Sequence, residues 1–223
     1  MIHAALGEIL DAAGCARPAA GQVAFSGADP VLPVRYRLGT AGAASLAATG
    51  VAASRLWQLR TGRSQRVEVD VRAAAVSLRS ASYLRINGKP PGGAWAPMSG
   101  FYPVRDGWIS IHCNFPEHRD AAVRVLGTTA DRQPAEQASA GWDGEALEEA
   151  IHAAGGCAGY VRSAAQWAAH PQAAAVAAQP LLQIERIGDA PPEALPAGDR
   201  PLSGVRVLDL TRVLAGPTCA RSL

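Results

Sequence analysis

The polar residues best placed for chemistry follow a short apolar run near the end of the chain. Residues 205–210, with the sequence VRVLDL, predict a strand buried on both faces of a parallel sheet. Asp209 and Arg212 lie at its carboxyl end, where open α/β sheets bind their ligands. Arg212 can pair with a phosphate, and a salt bridge to a nearby acid is an equal alternative. For Asp209, a hydrogen-bonded structural carboxylate is favoured over a catalytic one.

A loop of small residues follows this strand. Ala215, Gly216 and Pro217 form the loop, and Pro217 suits the first position of a helix. Strand, loop and helix start together are the opening of a βα unit. A parallel partner strand needs a crossover of about a dozen residues or more, and the sequence continues only to Leu223, so we expect this unit to be unfinished. A strand with an unpaired apolar face is a pairing hazard, so we expect the chain by itself to be marginally stable or oligomeric.

Other residues that could do chemistry are less well supported. His112 and His118 are candidates for acid–base work, but no matching acid can be placed with them. The chain contains no GxSxG, GxGxxG or P-loop motif. Its 4 cysteines lie far apart without a CxxC pair, which favours free thiols over a zinc site or a disulfide framework.

The composition is typical of a folded cytoplasmic protein. Of the 223 residues, 48% are hydrophobic and 18% are charged, with much alanine, which favours helices. A net charge of +2, with scattered arginines and no basic run, indicates neither a nucleic-acid nor a membrane partner. No apolar stretch approaches the roughly 18 residues of a membrane span. Glu8 and Asp11 argue against a signal peptide.

The hydrophobic periodicity predicts a mixed α/β chain in which the candidate residues sit between helices and short strands. Val67, Val69 and Val71 alternate with acids, which is typical of a half-buried strand over residues 65–71. Asp106 and Gly107 form the turn pair of a hairpin over residues 100–111. The remaining predictions are helices at 2–14, 42–59 (closed by a left-handed Gly62) and 72–86, a helix start at His170-Pro171, strands at 23–25 and 181–187, and a turn at 87–91.

Several of these segments resemble the class III CoA-transferases, the group that includes carnitine and bile-acid CoA-transferases and α-methylacyl-CoA racemases. The segment PLSGVRVLDLTRVLAGP, residues 201–217, is similar to the opening of the family's sequences. RTGRSQRVEVDV at residues 60–71, the following GKPP turn and the hairpin RDGWISI at residues 105–111 are similar to its second half. Because the family's opening stands at the end of this chain, the sequence predicts a fragment or a rearranged member.

The resemblance implies a fold and a division of the chain. The fold is α/β and class III CoA-transferase-like, with alanine-rich helices, a small-domain hairpin and the first βα unit of a Rossmann-like parallel sheet. The predicted segments are an N-terminal helix and loop at 1–33, the region similar to the family's second half at 34–187, a proline-rich linker at 188–200 and the start of a Rossmann-like domain at 201–223.

The resemblance also implies a reaction and its residues. In the family an aspartate at a helix start attacks an acyl-CoA thioester, and a CoA thioester of that aspartate follows. The corresponding position here is Gly39, and no Asp or Glu lies between Val31 and Glu68. The resemblance further implies that Arg212 and the Ala215–Pro217 loop border CoA. It implies acyl-CoA and a small carboxylic acid as substrates, no permanently bound cofactor and an interlocked homodimer.

Two functions therefore remain open. The chain is part of a CoA-transferase whose nucleophile lies beyond Leu223 or on another chain, or it is a non-catalytic CoA-binding or structural half that supports an active partner. The racemase branch of the family would instead need a His and Asp pair beside the thioester.

Overall fold

The computed structural model describes residues 1–93 and 95–223, and the chain divides into two compact units. Unit 1 consists of Met1–Tyr83 and Pro180–Leu223, and unit 2 consists of Leu84–Gln179. The segment boundaries predicted at residues 33, 187 and 200 stay predictions. In chain order the elements are α1 Ile2–Ala12, β1 Val23–Ser26, α2 Leu38–Thr61, β2 Val67–Asp70, α3 Val71–Leu78, a 3-10 turn Ser80–Tyr83, β3 Gly100–Val104, β4 Gly107–Ile111, α4 Pro116–Leu126, α5 Arg132–Ser139, α6 Gly144–Ala153, β5 Ala158–Tyr160, α7 Ala164–Ala169, α8 Pro171–Ala177 and α9 Ala215–Ser222.

Unit 1 is built around the long helix α2. Its alanines let the neighbouring helices approach closely, and Ala43, Ala44 and Ala47 are completely buried. α1 contributes Leu6 and Leu10 to the same core. The helix ends at Gly62, whose left-handed backbone confirms the predicted cap.

A two-stranded parallel sheet completes the first core. β1 pairs with β2 in the register that sets Val23 opposite Val67. The alternation read in the sequence is confirmed, because Val67 and Val69 are half-buried while Glu68 and Asp70 are exposed. β2 passes directly into α3, where the Asp70 side chain accepts the amide of Ala73 and caps the helix.

Unit 2 is a three-stranded antiparallel sheet covered by helices. The predicted hairpin is confirmed, since β3 and β4 pair antiparallel and the turn sets Val104 opposite Gly107. β5 adds to the other edge of β4. The core is formed by large side chains that are almost completely buried: Tyr102, Ile109, Ile111, Leu147 and Ile151. Within it, the Tyr102 hydroxyl donates a hydrogen bond to the Met98 carbonyl at 2.7 Å.

An ion pair with little exposure joins α6 to the segment after β5. The Arg162 guanidinium bonds both carboxylate oxygens of Glu148, at 3.1 and 2.6 Å, and one oxygen of Glu145 at 3.3 Å. The Arg162 and Glu148 side chains are 12% and 16% exposed. Hydrogen bonding to Arg162 holds the pKa of Glu148 below its ordinary value, although partial burial acts in the opposite direction.

The prediction of a strand at residues 205–210 is wrong. The run belongs to neither sheet, and Leu208 and Leu210 are 82% and 85% exposed. A strand needs a neighbour to satisfy its backbone groups, and no described strand lies beside this one. The helix of the predicted βα unit does form as α9, with Pro217 at its third position and not at its first.

Two other predictions need correction. Residues 181–187 form no strand, and the described chain between residues 180 and 214 holds neither helix nor strand. The helix predicted at 72–86 stops at Leu78 and continues only as a 3-10 turn, while the turn at Asn87 and Gly88 is confirmed by their positive φ angles. Among the described residues, no helix is sufficiently long and apolar to cross a membrane.

Candidate functional site

Gly39, which the family resemblance predicts at the position of the attacking aspartate, lies in the first turn of α2. Gly39 is the second residue of the helix and is buried. The N-cap residue Arg37 provides no side-chain hydrogen bond to this turn. The first amides of a helix have no partner within the helix, so another group must satisfy them.

That group is the carboxylate of Asp29, ten residues before Gly39. The Gly39 amide donates to Asp29 Oδ1 at 3.0 Å, and the Thr40 amide donates to Asp29 Oδ2 at 2.6 Å. The Val31 amide also donates to Oδ1, at 3.4 Å. Both oxygens of one carboxylate are therefore committed to the start of α2, where negative charge is favoured by the helix dipole.

Gly39 has no space for a side chain. A Cβ atom placed there would lie 2.5 Å from Asp29 Oδ1 and 2.8 Å from Cγ1 of Val71, which is completely buried. Both distances are far below ordinary van der Waals contact. In this structure the helix start accommodates either the Asp29 carboxylate or a side chain at position 39.

The environment of Asp29 favours its ionised form. Partial burial raises the pKa of Asp29, but hydrogen bonds from Thr40, Gly39 and Val31 outweigh it, and the pKa lies below its ordinary value. Asp29 is thus a charged carboxylate, and each of its oxygens accepts at least one backbone amide.

Sequence reasoning missed Asp29 as a residue of this site. Local capping rules search the residue that precedes a helix and the first turn, whereas Asp29 reaches the amides of α2 from ten and eleven residues upstream. The one available signal was that no Ser, Thr, Asp or Asn directly precedes Leu38, so the cap had to come from elsewhere.

The predicted CoA-bordering residues lie in the terminal segment of unit 1. Arg212 is exposed, while Gly216 and Pro217 are half-buried in the first turn of α9. The Thr211 side chain lies where a Cβ of Gly216 would be, so this position needs glycine here. Asp209 Oδ1 accepts the amide of Thr211 at 2.8 Å and its hydroxyl at 2.5 Å, which lowers the pKa of Asp209 and agrees with a structural carboxylate.

The terminal segment is held against the C-terminal end of α2. The Arg60 guanidinium donates to the Pro201 carbonyl at 3.1 Å, to the Ser203 carbonyl at 2.9 Å and to the Pro196 carbonyl. Since Arg60 is 21 residues after Gly39 on one helix, the two positions lie about 32 Å apart.

A cavity of about 380 Å³ lies where α9 approaches the middle of α2. Its lining includes Thr49 and Leu56 from α2 and Ser222 and Leu223 from the end of the chain. Thr49 lies ten residues after Gly39, or about 15 Å along the helix. The structure therefore brings α9 to the middle of α2 and not to its start.

Unit 2 brings the two candidate histidines together. The ring centroids of His112 and His118 lie 6.1 Å apart, and Phe115 and Trp95 contact the pair edge-on. The Nδ1 atom of His118 is buried without a hydrogen-bond partner in the described chain. No hydrogen bond or ion pair joins either imidazole to a carboxylate within residues 1–93 and 95–223, so the acid needed for a racemase-type pair is not supplied there.

Metal and thiol chemistry find no support among the described residues. No group of three or more His, Cys, Asp or Glu side chains is arranged to hold a metal ion. The four cysteines are unpaired, and burial raises the pKa of the Cys113 thiol. In the glycine-rich stretch 91–94, Gly92 and Gly93 are exposed, and Ala94 lies outside the described residues.

Comparison with protein families identifies one match. The sequence model of CoA-transferase family III matches residues 9–193, which is most of the chain. This region includes the end of α1, the Asp29 loop, α2 and all of unit 2, while residues 201–223 lie outside it. No curated protein sequence matches the chain.

Two solved bacterial proteins show the same fold. A point mutant of Rv3272 from Mycobacterium tuberculosis superposes with a TM-score of 0.55 at 16% identity, over 86% of this chain and 56% of that chain. A CAIB/BAIF family protein from Brucella suis superposes with a TM-score of 0.52 at 16% identity, over 68% of this chain and 47% of that chain. The chain thus spans about half the length of these proteins, and at such identities the likeness establishes the fold alone.

Proposed function

This chain belongs to CoA-transferase family III, and on that premise we propose that it forms part of an enzyme that moves CoA from an acyl-CoA to a small carboxylic acid. The observation that carries the proposal in its particular form is the start of α2. Position 39 is a buried glycine without space for a side chain, so the attacking aspartate comes from outside residues 1–223.

The proposed reaction uses a carboxylate twice. An aspartate oxygen attacks the thioester carbonyl carbon, the C–S bond breaks and CoA leaves as a thiolate. The thiolate then attacks the aspartyl carbonyl of the mixed anhydride, which releases the donor acid and leaves an aspartyl-CoA thioester. The acceptor acid reverses these two steps, forms the new acyl-CoA and regenerates the aspartate.

Asp29 is poorly suited to replace that aspartate. A nucleophilic carboxylate needs an accessible lone pair directed at the thioester carbon. Both Asp29 oxygens accept backbone amides, and these hydrogen bonds stabilise the ionised carboxylate, which lowers its reactivity. We therefore assign unit 1 a supporting function, with the nucleophile on residues beyond Leu223 or on a different chain.

Residues of the terminal segment are proposed to contact CoA in the assembled enzyme. Arg212 is exposed and carries the fixed positive charge that pairs with phosphate. The turn formed by Ala215, Gly216 and Pro217 starts α9, and its residues are small.

A trapping experiment tests the proposed division of labour. The isolated chain is incubated with an acyl-CoA and an acceptor acid, and any enzyme-bound thioester or anhydride is captured with hydroxylamine and located by mass spectrometry. We expect neither transfer nor an adduct, because no free carboxylate occupies the helix start. An active member of the family, treated in parallel, shows that the trap works.

The opposite result has a clear meaning. An adduct on any Asp or Glu of residues 1–223 would overturn the proposal that the nucleophile lies elsewhere. An adduct on Asp29 in particular would make that residue the nucleophile and this chain an enzyme in its own right.

The CoA-binding part of the proposal has its own measurement. In a preparation that transfers CoA, Arg212→Ala is expected to weaken CoA binding about 10-fold, because a charge-assisted bond to phosphate contributes on the order of 1.5 kcal/mol. Arg206→Ala, which removes an exposed arginine of the same segment, is the control and should change binding little. Equal affinity in both variants would assign Arg212 the structural salt bridge instead.

A further inference from the structure

The first turn of α2 binds one carboxylate, and that carboxylate belongs to a residue ten positions before Gly39. Asp29 approaches from the loop between β1 and α2 and accepts the amides of Gly39 and Thr40 at 3.0 and 2.6 Å. We infer that Asp29 is a positioning residue that takes over the helix start where the family's nucleophile would stand, and so locks unit 1 in a closed, non-catalytic form. The identification of position 39 rests on the proposed function, while the lock itself rests on geometry.

The Asp29 carboxylate and a side chain at position 39 cannot both fit at the start of α2. A Cβ at position 39 would lie 2.5 Å from Oδ1 and 3.1 Å from Cγ of Asp29. The carboxylate cannot retreat without losing its hydrogen bonds to two helix amides. The same Cβ would lie 2.8 Å from Cγ1 of Val71, which is completely buried, so a side chain at position 39 meets a second close neighbour.

Charge supports the same conclusion. The first amides of α2 form a positive end that stabilises one carboxylate. Hydrogen-bond donors already occupy both oxygens of Asp29, so a second carboxylate in the same turn would meet like charge and no free donor. The helix start is therefore satisfied from within the chain and offers no amide to the carboxylate of a substrate.

The lock also fixes the loop that carries it. Val31 is half-buried, packs against the small core of Val71 and Ala74, and donates its amide to the same carboxylate at 3.4 Å. The Asp29 side chain therefore connects the backbone of the segment that leads into α2 with the backbone of the first turn of the helix. Loss of this carboxylate should release the loop and the first turn together.

A double-mutant cycle on residues 29 and 39 tests the inference without any substrate. The proteins are wild type, Asp29→Ala, Gly39→Ala and the double variant, and hydrogen exchange of the Gly39 to Ala43 amides is the measurement. Asp29→Ala should reduce the protection of the first turn about 5- to 30-fold, the range for loss of a helix cap. Gly39→Ala should also reduce it, because its methyl group meets the carboxylate.

The diagnostic result is coupling between the two positions. In the Asp29→Ala background the added methyl group meets only Val71, so Gly39→Ala should cost clearly less there than in wild type. Asp29→Asn, which keeps the shape and one acceptor oxygen, should restore part of the protection. Glu193→Ala, in the exposed linker, is the control and should combine additively with Gly39→Ala.

Additive effects at 29 and 39, with unchanged protection of the Gly39 and Thr40 amides in Asp29→Ala, would overturn the lock. This outcome is independent of the trapping experiment. The chain can lack transfer activity without the lock, and the lock can hold even if another residue of the chain proves to be a nucleophile.

Discussion

Gly39→Asp is expected to destabilise unit 1 by roughly 2 to 4 kcal/mol and to leave the isolated chain without CoA-transfer activity. The substitution places an aspartate at the position where the resemblance predicts the family's nucleophile. Its Cβ would lie 2.5 Å from Asp29 Oδ1 and 2.8 Å from Val71 Cγ1, and its carboxylate would face a second one. Overpacking and like-charge repulsion therefore act together. Chemical denaturation followed by hydrogen exchange of α2 measures the loss.

Ala41→Asp is the matched control for this variant. Ala41 lies two residues further along the same helix and is exposed, so the new carboxylate enters water near the positive end of α2. We expect a change within about 0.5 kcal/mol. A Gly39→Asp protein as stable as the Ala41→Asp protein would show that the helix start is open and would contradict the crowding described above.

The swapped variant extends this prediction. Asp29→Ala combined with Gly39→Asp removes one of the two contacts and the like charge, so it should be more stable than Gly39→Asp alone. The remaining contact with Val71 should keep it below wild type in stability. Transfer activity in the swapped protein would indicate that the rest of unit 1 still supports the chemistry.

Arg162→Met is expected to destabilise unit 2 by about 2 to 3 kcal/mol, because it leaves the Glu148 carboxylate without its cation in a site with little water. Glu148 is 16% exposed and receives 3.1 and 2.6 Å bonds from the guanidinium. The cation also lies 5.3 Å from the ring centroid of Tyr160, and that contact is lost as well. Urea unfolding monitored by the tryptophans of unit 2 measures the change.

A surface pair in the same unit provides the control. Arg105 and Asp143 lie 3.3 Å apart with side chains 59% and 60% exposed, so Arg105→Met should cost less than about 1 kcal/mol. Similar losses in the two variants would show that the Arg162 pair behaves as an ordinary surface salt bridge.

The Arg162 pair also predicts a dependence on pH. The pKa of Glu148 in the folded chain lies below its ordinary value, mainly because Arg162 donates hydrogen bonds to it. Its contribution to stability is therefore fully present above the unfolded pKa of about 4.3 and is lost as the pH falls through the lower, folded pKa. The difference in stability between wild type and Arg162→Met should be largest near neutral pH and should shrink in acid.

The chain covers only about half the length of the solved structures that share its fold. The family match covers residues 9–193, while the chain spans 56% of the Mycobacterium tuberculosis structure and 47% of the Brucella suis structure. Activity, substrates and the partner that provides the nucleophile are proposals for the whole enzyme. The start of α2 is the place where these proposals can be tested on this chain.

The amino-acid sequence determined by itself the features that depend on neighbours in the chain. Alternating valines produced β2, the Asp106-Gly107 pair produced the β3–β4 hairpin, and Gly62 ended α2 in the left-handed conformation. Each depends on backbone preferences over a few residues, which are readable without knowledge of the fold. The family motifs, which are also local strings, led to the family that the comparison establishes.

The tertiary structure alone decided which groups meet across longer separations. The apolar run at 205–210 has the composition of a buried strand but remains exposed, because a strand needs a partner that its own sequence cannot supply. Asp29, which the sequence analysis did not single out, caps α2 because the turn of the chain after β1 returns its carboxylate to Gly39. Hydrogen bonding and close packing act through space, so the site at the helix start became visible only when the fold had brought residues 29, 39 and 71 together.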